Sequence, residues 1–70
     1  MNTAILISVN GESRETQAGT TVTGLLGELG LDAGRVAVER NLAILPRPLW
    51  TATQVEAGDR YEIVQFVGGG

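Results

Sequence analysis

The chain has no cysteine and no histidine. That excludes a disulfide staple, a thiol nucleophile, an imidazole base and the usual zinc ligands. Any sulfur chemistry has to use sulfur brought from outside. Lysine is missing as well. All five basic residues are arginines, namely Arg14, Arg35, Arg40, Arg47 and Arg60. The N-terminus is then the protein's amine, and lysine-linked chains of this protein with itself are excluded. The arginines are scattered and the net charge is −3. No basic stripe offers itself to a phosphate backbone, which argues against nucleic acid as a partner. Long apolar runs are absent too. Even Ala4 to Ile7, a run that no other exceeds, is far too short for a membrane span or a signal segment. A soluble cytoplasmic protein is the expectation.

What is present fits one small domain. A chain of 70 residues buries only about 60% of its unfolded surface, so its core is marginal. Stability must come from hydrophobic packing, and 43% apolar residues are enough to attempt it. Ala4 to Val9 alternates as a strand. Asn10-Gly11 is the strongest short hairpin signal, because both residues tolerate positive φ in a type I′ turn. Glu12 to Gln17 returns as a more polar strand suited to a sheet edge. Thr20 or Thr21 can cap a helix. Val22, Leu25, Leu26 and Leu29 then recur at i, i+3, i+4 and i+7, one apolar stripe facing a core. Gly30 stands where a helix-ending glycine belongs, with Leu31 as its hydrophobic contact. Gly24 and Gly27 interrupt the helix, which reads as weak and held by packing.

Asp32 to Arg35 reads as a connector. Val36 and Val38 are the inward pair of a third strand. Asn41 permits a turn, and Ala43-Ile44-Leu45 is a short further strand. Pro46 and Pro48 stop regular structure. Leu49 and Trp50 are expected to fold back onto the core, and Val55 to anchor a polar loop. Gly58-Asp59 makes a turn before a last strand, Arg60 to Val67. The order is strand, strand, helix, strand, short strand, strand. It predicts an α+β fold, a mixed sheet packed on one main helix, with the first and last strands parallel at the centre. That is the β-grasp pattern, a single domain over residues 1–70 with a glycine tail at 68–70. The helix is predicted over Thr21 to Leu29. The core is predicted to hold Ile5, Ile7, Val9, Val22, Leu25, Leu26, Leu29, Val36, Val38, Tyr61 and Ile63.

The last strand leads into Gly68-Gly69-Gly70. Without Cβ atoms such a tail can enter a channel too narrow for side chains. A carboxylate on Gly70 is sterically open, which suits a group that attacks phosphorus and is later attacked itself. A floppy terminus is the plainer alternative, and a cloning scar is a third. Mobility of Gly68 to Gly70 in the free protein is also expected. Strand parity adds a second site. Tyr61 and Ile63 face the helix, so Val64 and Phe66 face away, as does Leu6 on the first strand. If the first and last strands are neighbours, Leu6, Val64 and Phe66 are expected to form one apolar patch beside the tail, a partner-binding surface.

The chain resembles the ThiS family of ubiquitin-like sulfur carriers over nearly its whole length. The likeness lies in Val9-Asn10-Gly11-Glu12, Gly19-Thr20-Thr21-Val22 with Leu25-Leu26, and Val36-Ala37-Val38-Glu39-Arg40-Asn41. Ile44-Leu45-Pro46-Arg47 with Trp50 is similar to the family's Val-Pro-Arg-x-x-Trp segment, with Leu45 where valine is usual. Gly58-Asp59, Glu62-Ile63-Val64 and the Gly-Gly end complete it. The resemblance implies a carrier that is not itself an enzyme and binds no cofactor. A ThiF-type adenylating enzyme would use ATP to activate the Gly70 carboxylate, with Gly68 and Gly69 threading into the partner. A sulfur donor such as a cysteine desulfurase persulfide would convert Gly70 to a thiocarboxylate. A ThiG-type thiazole synthase would take the sulfur for the thiazole of thiamin. Other β-grasp uses stay open at this point: the small subunit of molybdopterin synthase, a ubiquitin-like protein modifier, or a binding module with an inert tail.

Overall fold

Asn10 and Gly11 have φ of 51° and 84°, the two left-handed positions that a type I′ turn requires. They join β1 (Ala4–Val9) to β2 (Glu12–Gln17) in an antiparallel hairpin whose register closes at Val9 opposite Glu12. The computed structural model describes residues 3–66. After β2 come α1 (Val22–Glu28), β3 (Val36–Arg40), β4 (Ala43–Ile44) and β5 (Arg60–Gln65). The sheet order is β2-β1-β5-β3-β4. β5 is therefore central, parallel to β1 and antiparallel to β3. The polar β2 is an edge strand, as its composition requires.

The helix is short but well closed. The Thr21 side chain accepts the Gly24 N–H at 3.0 Å as N-cap. At the other end Gly30 takes φ of 71°. The Gly30 N–H reaches the Gly27 carbonyl at 3.1 Å and the Leu31 N–H reaches the Leu26 carbonyl at 3.0 Å. This is a Schellman closure, and only glycine enters it without steric cost. Val22, Leu25 and Leu26 are buried against Ile7, Val36, Val38, Tyr61 and Ile63 from the sheet. Trp50 and Val55 complete this core. Ile5, Val9 and Leu29 pack on its margin and are only partly buried.

Two stretches read from sequence as irregular are single turns of 3-10 helix, Ala33–Arg35 and Arg47–Leu49. Proline starts a helical turn readily, since the amide it lacks has no partner there. Arg47 and Trp50 fasten these two turns together. The Arg47 guanidinium lies 4.6 Å over the Trp50 ring and donates to the carbonyls of Ala33 and Val36. The Trp50 indole N–H donates to the Leu45 carbonyl at 2.9 Å. The Pro-Arg-x-x-Trp run is thus a packing device in the described residues. Among those residues no helix is long and apolar enough to cross a membrane.

Candidate functional site

β5 is the strand that leads into the glycines, and its two neighbours end at different levels. β1 stops at Val9, opposite Tyr61. Beyond that point the side chain of Asn10 takes over the work of a strand. Its amide donates to the Ile63 carbonyl at 3.2 Å, and its oxygen accepts the Ile63 N–H at 2.8 Å. On the other side β3 pairs up to Val36 opposite Gln65. The Phe66 N–H then donates to the Arg35 carbonyl at 2.7 Å. One side of the strand is held as far as Ile63 and the other as far as Phe66, which fixes the course of β5 to that residue. Gly68, Gly69 and Gly70 lie outside the described residues, and so does the expectation about their mobility.

The upstream end of β5 is locked by a buried carboxylate. Asp59 is 6% exposed. It accepts the Glu56 N–H at 2.9 Å, the Asn41 amide at 3.1 Å, the Tyr61 hydroxyl at 2.8 Å and Arg40 Nε at 3.0 Å. Burial works against the charged carboxylate. The hydrogen bonds from Glu56, Asn41, Tyr61 and Arg40 outweigh it, so its pKa lies below the ordinary aspartate value. Burial first, and the Asp59 carboxylate second, push the Tyr61 hydroxyl up to about 12. Arg40 is raised: its burial opposes the charge, but Tyr61 and Asp59 more than compensate. Arg40-Asn41 and Gly58-Asp59, two separate pieces of the family likeness, are therefore the two halves of one clamp. Among the described residues no group of three or more histidine, cysteine or carboxylate side chains could hold a metal ion.

The open face of the sheet carries the outward residues that parity predicts. Leu6, Val64 and Phe66 are 62%, 60% and 55% exposed. They do not form one patch. Ser8 pairs with Arg60 in the parallel β1–β5 ladder, and the Gly58 N–H donates to the Leu6 carbonyl at 2.8 Å. Leu6 is thus level with Gly58, and Val64 lies six residues further along β5, roughly 20 Å away. Arg60 and Glu62 occupy the outward positions between them. The expectation of a contiguous Leu6–Val64–Phe66 surface fails because parity sets the face and register sets the distance. What the structure brings together at the end of β5 is Val64, Phe66 and Ala37, which is paired with Val64. Leu6 is a separate exposed residue at the other end of the face. Sequence reading missed Asn10 and Arg35 as the holders of the strand end. An Asn-Gly turn says nothing about a third strand that its side chain will bridge.

The ThiS family model matches residues 7–70. A thiazole synthase of Paramagnetospirillum magneticum is 53% identical over 62 residues, which is 89% of this chain and 19% of that protein. The uncharacterized protein ycf40 of Porphyra purpurea is 34% identical over 70 residues, 100% of this chain and 99% of that one. The chain thus spans about a fifth of the thiazole synthase and nearly all of the algal protein. The crystal structure of the thiamine biosynthesis protein ThiS from Geobacter metallireducens superposes with a TM-score of 0.78 at 36% identity. It covers 94% of this chain and 100% of that one. Five strands in this order, one helix and a family match that includes the terminal glycines agree: the chain belongs to the ThiS family.

Proposed function

We propose that this chain is a sulfur carrier for thiazole formation in thiamin synthesis, loaded at the Gly70 carboxyl. The observation that carries the reading is the family match, which runs from residue 7 to residue 70 and so includes the glycine end. The fold supports it, because the central strand is held by Asn10 as far as Ile63 on one side and by Arg35 as far as Phe66 on the other. A carboxylate has an unperturbed pKa near ~3.5 and is ionised at neutral pH without a base. It attacks the α-phosphate of ATP on a ThiF-type enzyme and expels pyrophosphate. The terminal sulfur of a persulfide, such as that of a cysteine desulfurase, then attacks the acyl carbon. AMP leaves, and a thiol cleaves the S–S bond to free the thiocarboxylate. The chain acts as co-substrate and carries no nucleophile–base constellation of its own in the described residues.

The acceptor in this reading is a ThiG-type thiazole synthase. A segment about half identical to this chain lies within a protein of that name, and a shared polypeptide raises the effective concentration of two parts that must meet. Val64 and Phe66 would be gripped by a partner while Gly68 to Gly70 enter its active site, with Leu6 as a distant second contact. The test is mass spectrometry after incubation with the adenylating enzyme, ATP and a sulfur source. One oxygen replaced by sulfur at Gly70 is the expected result, and a chain extended beyond Gly70 should not be loaded. An extended chain that forms thiocarboxylate without trimming would overturn the reading.

A further inference from the structure

Each of the two hairpins turns on an asparagine. Asn10 and Gly11 take φ of 51° and 84°, and Asn41 and Leu42 take 52° and 72°, so both pairs hold the double left-handed geometry. Both asparagines also reach sideways to the last strand and its lead-in. Asn41 donates to the Asp59 carboxylate at 3.1 Å and accepts the Arg60 N–H at 2.9 Å. Asn10 is tied to β5 three times. Its N–H donates to the Tyr61 carbonyl at 2.8 Å, and its side-chain amide takes both main-chain groups of Ile63. The residues that follow differ. Leu42 carries a branched side chain, whereas Gly11 has none, and a Cβ built there would meet nothing within 4 Å. Asn10 and Gly11 are both exposed to water.

The same features define a reactive pair. The main-chain nitrogen after an asparagine attacks the side-chain amide carbon most readily when no side chain shields it. We propose that Asn10 is a site of spontaneous deamidation, and that its bridge to Ile63 is the catch that holds the reaction back. In the step itself, the Gly11 N–H loses its proton to solvent base, and the nitrogen forms a C–N bond to Asn10 Cγ. The Cγ–Nδ2 bond breaks, and Nδ2 leaves as ammonia with the electron pair and a proton from water. Water then opens the five-membered imide at either carbonyl, giving aspartate or isoaspartate. Attack makes Cγ tetrahedral and carries Nδ2 away, so it cannot proceed while the planar amide stays paired with Ile63. The bridge must open first. Aspartate or glycine at position 10 would turn the chain as well. A carboxylate, however, donates nothing to the Ile63 carbonyl, and glycine offers no side chain. The amide that fastens β5 is thus the labile group, and the fastening is its protection. The aspartate product keeps the Ile63 N–H but loses its carbonyl, and isoaspartate adds a main-chain carbon to the turn. Either product weakens the hold on β5 at Ile63.

The experiment follows the full wild-type chain and Leu42→Gly in mildly alkaline buffer, folded and in urea above the unfolding transition. Leu42 is 78% exposed with φ of 72°, a conformation that glycine adopts without strain. The variant therefore adds a second Asn-Gly turn that rests on a different bridge. Tandem mass spectrometry of peptides reads the conversion of amide to acid at each asparagine. NMR reads hydrogen exchange at the Ile63 and Arg60 amides. In urea Asn10 should convert first in wild type, and the two turns of Leu42→Gly should convert within roughly threefold of each other, because neither bridge remains. In the folded protein Asn10 should convert at least about tenfold more slowly than in urea, since only the opened population reacts. In folded Leu42→Gly the ratio of the two conversion rates should follow the ratio of Ile63 to Arg60 exchange. Asn10 converting as fast folded as unfolded overturns the inference, and so do folded rates unrelated to those two amides. An unfolded wild-type chain in which Asn10 stays intact while another asparagine converts overturns it as well.

Discussion

Asn10 and Ile63 hydrogen-bond to each other in both directions, side chain to main chain, at 3.2 Å and 2.8 Å. The turn residue of the first hairpin thereby extends the parallel ladder past the end of β1. Asn10 combines two roles, a left-handed φ of 51° and a peptide-like side chain. Asn10→Gly keeps the first role and loses the second. It should destabilise the protein by roughly 1–3 kcal/mol, the cost of leaving a donor and an acceptor without protein partners. Asn10→Ala should lose a further ~1–2 kcal/mol to the left-handed backbone. Urea titration checks the order wild type, glycine, alanine. An unchanged midpoint for Asn10→Gly would show that water replaces the bridge without loss.

Tyr61 and Asp59 make stability depend on pH at both extremes. The Tyr61 pKa is raised to about 12, so the folded state holds its proton more tightly than the unfolded chain. That contribution is complete below the unfolded value near ~10 and is lost as pH rises through about 12. The Asp59 pKa is lowered, so its contribution is present above the unfolded aspartate value and is lost as pH falls below it. Melting temperature against pH should therefore fall at both ends. Tyr61→Phe should flatten the alkaline fall and shrink the acid fall without abolishing it, because Asp59 loses one donor and keeps those of Glu56, Asn41 and Arg40. A steep alkaline fall in Tyr61→Phe would assign it to another group.

The parts of the fold that sequence made legible are local. The Asn-Gly turn, the stripe through Val22, Leu25, Leu26 and Leu29, and the parity of Tyr61 to Phe66 each depend on residues a few places apart. The helix ends at Glu28 with Leu29 and Gly30 closing it, because cap chemistry is written beside it. Register between β1 and β5 is not local. It pairs Ser8 with Arg60 and Val9 with Tyr61, residues some fifty places apart, and that displaced Leu6 from the expected patch. The turn after β3 shows the same limit. Leu42 takes φ of 72°, which a branched residue disfavours, so no propensity announces it. Asn41, with its own φ of 52° and its bonds to Asp59 and Arg60, holds the turn from outside. Of the site, the strand face was legible and its fastening by Asn10 and Arg35 was not.

Gly27 offers a gain in stability. A Cβ placed there meets nothing within 4 Å, and the residue is exposed on α1. The glycine serves no close approach, so its cost is conformational. Gly27→Ala should stabilise by up to roughly 1 kcal/mol, a rise in Tm of about 4–8 °C for a domain of this size. Gly24→Ala is the contrast. Its Cβ would lie 3.3 Å from Thr20 Cγ2 and 3.4 Å from Thr21 Oγ1, the oxygen that caps the helix. Its gain should be smaller. Equal gains in calorimetry would show that the cap yields to the methyl group freely.

Phe66 and Leu6 share a face but not a neighbourhood, and this makes a sharp test of where a partner binds. Aromatic residues in a contact centre typically contribute most of its energy. Phe66 is 55% exposed and sits at the strand end that leads to the glycines. Phe66→Ser should weaken binding to the adenylating enzyme by at least about tenfold, the loss of one modest hot spot. Its stability should stay within roughly 0.5 kcal/mol of wild type, as for other surface changes. Val64→Ser should act in the same direction, and the double mutant should be non-additive, because residues in one contact share partners. Leu6→Ser combined with Phe66→Ser should add within about 0.3–0.5 kcal/mol, as separated sites do. Calorimetric titration of the five variants, Leu6→Ser alone included, distinguishes the cases. Strong coupling between Leu6 and Phe66 would mean that one partner group spans the roughly 20 Å between them, and the short patch around Val64 would then be the wrong surface.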